Sequence, residues 1–105
     1  MTATLIVQPE AEVDLDQTYR WYEARREGLG GEFLDAVSLT FARIAEQPLR
    51  NAIVHREARR ALLRRFPYAV LYGARDERVF VLAVLHQRRN PRLIKERARD
   101  FKKTE

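Results

Sequence analysis

Cysteine is absent from the 105 residues, which excludes disulfides and thiolate metal sites and removes any need for an oxidising compartment. No apolar run approaches the ~20 residues that a membrane-spanning helix needs. Histidine occurs only at His55 and His86, and neither has a second histidine or a well-spaced carboxylate nearby. Asp14 and Asp16 are two apart and point to different sides of a helix, so no metal and no cofactor is expected. The one serine, Ser38, stands in a helical pattern without a local base. Gly28, Gly30 and Gly31 form no strand-to-helix phosphate cradle and read as a loop between helices. Met1–Val7 lacks the basic segment and long apolar stretch of a secretory signal, so a cytoplasmic location without membrane partners is expected.

What is present suffices for one domain over residues 1–105, because 46% of the chain is hydrophobic and a real core can form at this length. The charge is split along the chain. Residues 1–49 hold four Lys/Arg against nine Asp/Glu, a net of −5, whereas residues 50–105 hold sixteen against six, a net of +10. A cationic half of this density attracts phosphate-rich or acidic macromolecular surfaces.

The periodicities order the elements. Thr2–Val7 is short, β-branched and apolar, and reads as a strand. Pro9 suits a first helical position, and Glu10 and Glu12 complement the dipole of the helix that follows. Its apolar face is Ala11, Leu15, Thr18, Tyr19 and Tyr22. Phe33, Val37, Phe41 and Ile44 form the stripe of a second helix, flanked by Leu34 and Ala45 and closed by Pro48. The period then changes to two, predicting strands over Arg60–Phe66, Tyr68–Ala74 and Val79–Leu85, with turns at Phe66-Pro67 and Asp76-Glu77. Asn90-Pro91 ends the sheet and Arg92–Phe101 is a basic helix. The layout is β-α-α-β-β-β-α, an α+β fold with a helical hairpin on a mainly antiparallel sheet. The unbroken apolar run Val79–Leu85 requires cover on both faces, the second supplied by the terminal helix or a protein partner.

Arginine-based phosphate chemistry is the one reaction type with material left, with His86 as its acid or base. The alternative is that His86 merely ends a strand. Trp21 fits either the core or an exposed anchor for a partner.

Several ordered motifs carry a resemblance. They are Ala11-(x)3-Leu15, Trp21-Tyr22-Glu23, Gly28-Leu29-Gly30-(x)2-Phe33, Ile44-(x)3-Pro48, Arg64-Arg65-Phe66-Pro67-Tyr68, Tyr72, and Val84-Leu85-His86-Gln87-Arg88-Arg89-Asn90-Pro91. Together they resemble the RelE/ParE superfamily of toxins from type II toxin–antitoxin modules. The resemblance implies a helical hairpin on an antiparallel sheet and a cognate antitoxin that wraps the toxin. It also implies one of two targets: ribosome-bound messenger RNA, which RelE-like members cut, or DNA gyrase, which ParE-like members poison. RelE-like nucleases place an arginine after the tyrosine matching Tyr68 and a tyrosine near Lys95, but this chain has Ala69 and no tyrosine after Tyr72. The ParE side is therefore favoured, with gyrase inhibited by direct binding. The alternative is a metal-independent endoribonuclease using Arg60, Arg64, His86 and Arg89, with ribosome and mRNA as partners. Target-binding candidates are Arg60, Arg64, Arg65, His86, Arg88, Arg89 and Arg92. A plain nucleic-acid-binding module is the third reading.

Overall fold

A strand that is apolar on both faces belongs inside a sheet, and the fold places it there. The computed structural model describes residues 2–88 and 91–103. In order these form β1 (Thr4–Val7), α1 (Pro9–Arg25), α2 (Leu29–Glu46), β2 (Ile53–His55), β3 (Ala58–Leu62), β4 (Tyr68–Arg75), β5 (Arg78–His86) and α3 (Pro91–Lys103). The sheet runs β1-β5-β4-β3-β2, with β1 parallel to β5 and the other pairs antiparallel. The α+β class and the helical hairpin are as the periodicities require.

Each face has its own core. Ala11, Tyr22, Phe33, Val37 and Ile44 from the hairpin pack on Val70, Tyr72, Val79, Val81 and Val84. Ala98 and Phe101 from α3 pack on Ala58, Leu71, Leu82, Ala83 and Leu85, so α3 supplies the second cover. Alternation along β5 is broken by a bulge: Leu71 faces Ala83 and Tyr72 faces Val81, leaving Leu82 as the extra residue. Leu82 and Ala83 consequently both join the α3-side core.

Three local readings are corrected. The strand expected over Arg60–Phe66 is Ala58–Leu62, because Leu63 N–H turns to donate to Tyr68 O at 2.9 Å and Arg65 adopts φ 71°. A further strand, β2, precedes it. Ile53 and Val54 are both exposed, so no alternation marks them. Of the three glycines, Gly30 and Gly31 lie within α2, and only Gly28, at φ 87°, is the turn. A Cβ on Gly30 would sit 2.7 Å from ring carbons of Tyr19, so this glycine lets the two helices approach. The Asp76-Glu77 turn is as expected, and positive φ at both residues matches the two-residue hairpin that suits strand twist.

Tyr72 joins the sheet to the end of the hairpin. It is fully buried. Its hydroxyl donates to Pro48 O at 2.7 Å and accepts from Asn51 Nδ2 at 3.2 Å. Burial pushes the phenol above its ordinary 10.0, against a smaller lowering by Asn51 and Arg59, so it stays a donor. Tyr72→Phe strands both partners, and the expected cost is about 1–3 kcal/mol. In urea unfolding the midpoint should fall with an unchanged slope.

Candidate functional site

β4 and β5 pair Tyr68 with His86 at the end of the sheet. The two rings meet edge to face at 5.3 Å. His86 Nδ1 accepts the Arg88 backbone N–H at 3.1 Å, so a neutral imidazole carries its proton on Nε2. Gln87 N–H donates to Pro67 O at 2.9 Å and ties this corner to the β3–β4 loop. Arg60, His86, Gln87 and Ile94 then surround a shallow cleft floored by Ala69, Leu71 and Leu85. It encloses about 10 Å³, space for roughly one water. Arg88 is exposed two residues beyond His86, and Arg92 is exposed two residues before Ile94 in the first turn of α3.

The other candidates lie elsewhere. Arg64 lines a groove on the α2 side of the sheet, with Thr40, Arg43, Ile44, Arg50, Asn51, Ala61 and Leu62. Arg65 donates to Glu32 Oε1 at 2.9 Å, while Arg26 donates to Oε2 at 3.0 Å. Arg89 lies outside the described residues, as does Asn90. Arg60 and His86 thus line one cleft, Arg88 follows His86 through its backbone bond, and Arg64 and Arg65 line or pair elsewhere.

Part of the cationic half is consumed by the fold. Arg97 forks onto Asp14, Arg59 donates to Leu49 O and Asn51 O, and Arg75 pairs with Glu57. Arg43 and Arg50 were missed by sequence reading. They lie in α2 and in the loop behind it, and no spacing connects them with Arg64. A separate recess of about 450 Å³, lined by Thr2, Ala3, Pro48, Leu49 and the β4–β5 turn, contains no candidate residue. Among the described residues, no cluster of three or more His, Asp or Glu could hold a metal ion, and no helix is long and apolar enough to cross a membrane.

Glu32 makes a pH prediction. The hydrogen bonds from Arg65 and then Arg26 hold its carboxyl below the ordinary 4.5. A depressed folded value contributes stability above the unfolded value and loses it as pH falls through the folded one. The thermal midpoint of Glu32→Gln should therefore trail the unmodified protein at neutral pH and converge with it in acid, and parallel curves would refute this.

Residues 5–91 match the family model for the ParE toxin of the type II toxin–antitoxin system parDE. The chain belongs to the ParE toxin family. It is a type II toxin of the RelE/ParE superfamily. Among solved structures, a chain of the chromosomal ParDE toxin–antitoxin system of P. aeruginosa is similar at TM-score 0.70 and 16% identity, covering 81% of this chain and 96% of that one. A chain of the RelBE2 toxin–antitoxin complex of Mycobacterium tuberculosis is similar at TM-score 0.59 and 28% identity, covering 82% and 99%. A search of curated proteins gives no match.

The motifs behind the resemblance are mostly devices for folding this toxin. Tyr22 packs against Phe33, Phe66 and Tyr68 at ring separations of 5.4, 5.0 and 6.0 Å, so Trp21-Tyr22-Glu23 and Phe66-Pro67-Tyr68 build one aromatic cluster. Glu23 accepts from Gly28 N–H and Gly30 N–H, both at 2.9 Å, and caps α2. Trp21 is 50% exposed beneath the Arg25 guanidinium, 3.9 Å from its ring centroid.

Proposed function

We propose that this ParE-family toxin arrests growth by binding DNA gyrase directly, breaking no bond itself, and that a cognate antitoxin neutralises it. The supporting observation is the cleft at Arg60 and His86. Its ~10 Å³ suits docking against a protein surface and does not enclose a nucleotide. Ala69 lies in its floor where RelE-like nucleases carry arginine. Arg64, which the nuclease reading needs in the same cleft as His86, lines a separate groove with Arg43 and Arg50. The antitoxin proposal is supported by both structural relatives, which come from toxin–antitoxin systems. A cationic toxin surface is complemented by an acidic antitoxin segment.

The test is supercoiling by purified gyrase with toxin in excess. Inhibition with a trapped cleavage complex is expected. Arg60→Ala and Arg88→Ala should each raise the toxin needed by about 5–30-fold, the effect of losing 1–2 kcal/mol at an interface. Undisturbed supercoiling, with codon-positioned cuts in mRNA on translating ribosomes, would replace this reading by the nuclease.

A further inference from the structure

A second surface has no part in that reading. Arg43 from α2, Arg50 from the loop after it and Arg64 from beyond β3 line one groove of about 370 Å³. No carboxylate lines it, and none of the three arginines has an ion pair among the described residues. Other arginines of the chain, at positions 20, 26, 65, 75 and 97, are each paired with an acid. Three unneutralised like charges around one recess repel one another, and an anion relieves that repulsion.

We propose that this groove binds the phosphodiester backbone of single-stranded nucleic acid. Guanidinium forks match phosphate oxygens bidentately, and three of them match a ligand whose charge repeats along its length. An acidic peptide fits less well. Peptides gain affinity from a free strand edge or side-chain pockets, but β3 is paired on both sides by β2 and β4, and buried Ile44 and Ala61 fill the floor. A flexible single strand bends to bring successive phosphates to three arginines around one recess, which the fixed backbone of a duplex does less well. The proposal is tested separately from gyrase binding, since the groove and the His86 cleft share no lining residue.

The experiment is fluorescence anisotropy with a labelled 20-nucleotide oligothymidine between 50 and 200 mM NaCl. Three phosphate contacts on a single strand contribute about 2 to the slope of log K against log salt, an affinity loss of about 20-fold over that range. Arg43→Gln/Arg50→Gln/Arg64→Gln should remove that contribution. Arg56→Gln/Arg78→Gln/Arg99→Gln, with the same change in net charge at other exposed positions, should retain it. Arg50→Gln and Arg64→Gln singly should each subtract about 0.7 from the slope, which decides the matter even if the triple variant unfolds. Equal losses in the two triple variants, tighter binding of a matching duplex, or tighter binding of an oligoglutamate of equal charge would overturn the proposal.

Discussion

Asp14→Ala should lower the unfolding free energy by about 3–5 kcal/mol, the usual cost of removing one partner of a buried ion pair. Asp14 of α1 and Arg97 of α3 are only 11% and 16% exposed at their side chains. Their fork closes at 2.7 and 3.0 Å. Both also serve the backbone of β5 just past the last residue paired with β1. Asp14 Oδ2 accepts Val84 N–H at 3.0 Å, and Arg97 Nη1 donates to Leu82 O at 3.0 Å. β1 ends at Val7, opposite Val81, so these groups have no strand neighbour on that side, and the ion pair stands in for one. Alanine takes the Asp14 carboxylate from a nearly buried guanidinium and leaves the Val84 amide without its acceptor. For a domain of this size that amounts to a fall in Tm of about 15–25 °C. Asp14→Leu/Arg97→Met together should cost less than Asp14→Ala alone, because the guanidinium that lost its fork is gone and about 1–3 kcal/mol for the stranded backbone groups remains. Calorimetry of the single and double variants checks this, and a larger loss in the double variant would refute it.

Phe101→Ala should release α3 from the sheet. The ring is buried beside Phe80, and the Arg75 guanidinium lies 4.4 Å from its centroid. Its edge occupies the space that a side chain on Gly73 would need: a Cβ there would be 2.5–2.7 Å from three ring carbons. Filling such a site with alanine costs about 3–5 kcal/mol when the surroundings cannot follow. Here α3 is a terminal element and undocks locally, so hydrogen exchange in α3 should rise well before exchange in β4 and β5. Gly73→Val should produce the same pattern from the opposite cause, by denying the ring its seat. Both variants loosen Ile94, one wall of the His86 cleft, and under the proposed function gyrase inhibition should fall with the protection of α3. Unchanged exchange in α3 would refute the seating of Phe101 on Gly73.

How far the sequence could be read differs from residue to residue. Phe33, Val37 and Ile44 repeat at helical spacing and are buried as that spacing requires. Val79–Leu85 announced a doubly covered strand, and both cores confirm it. β2 was illegible because Ile53 and Val54 are exposed side by side. The first turn of α2, with Gly30 and Gly31, was read as a loop because composition records the freedom of glycine and not the ring of Tyr19 pressed against Gly30. Of the candidate residues, Arg60 and His86 line one cleft at the end of β4 and β5. Arg64 was grouped with them and lines a different groove, with Arg43 and Arg50.

By itself the sequence determined the order of nearly all elements, the faces that α1 and α2 bury and the family of the toxin, because periodicity and short motifs act within a few residues. Tertiary structure alone decided which arginines are structural and which remain open to a ligand. That choice rests on partners far apart in the chain, such as Arg97 with Asp14 across 83 residues and Tyr72 with Asn51 across 21. A guanidinium is identical in sequence whether or not a carboxylate waits beside it, and only the folded backbone brings the carboxylate there.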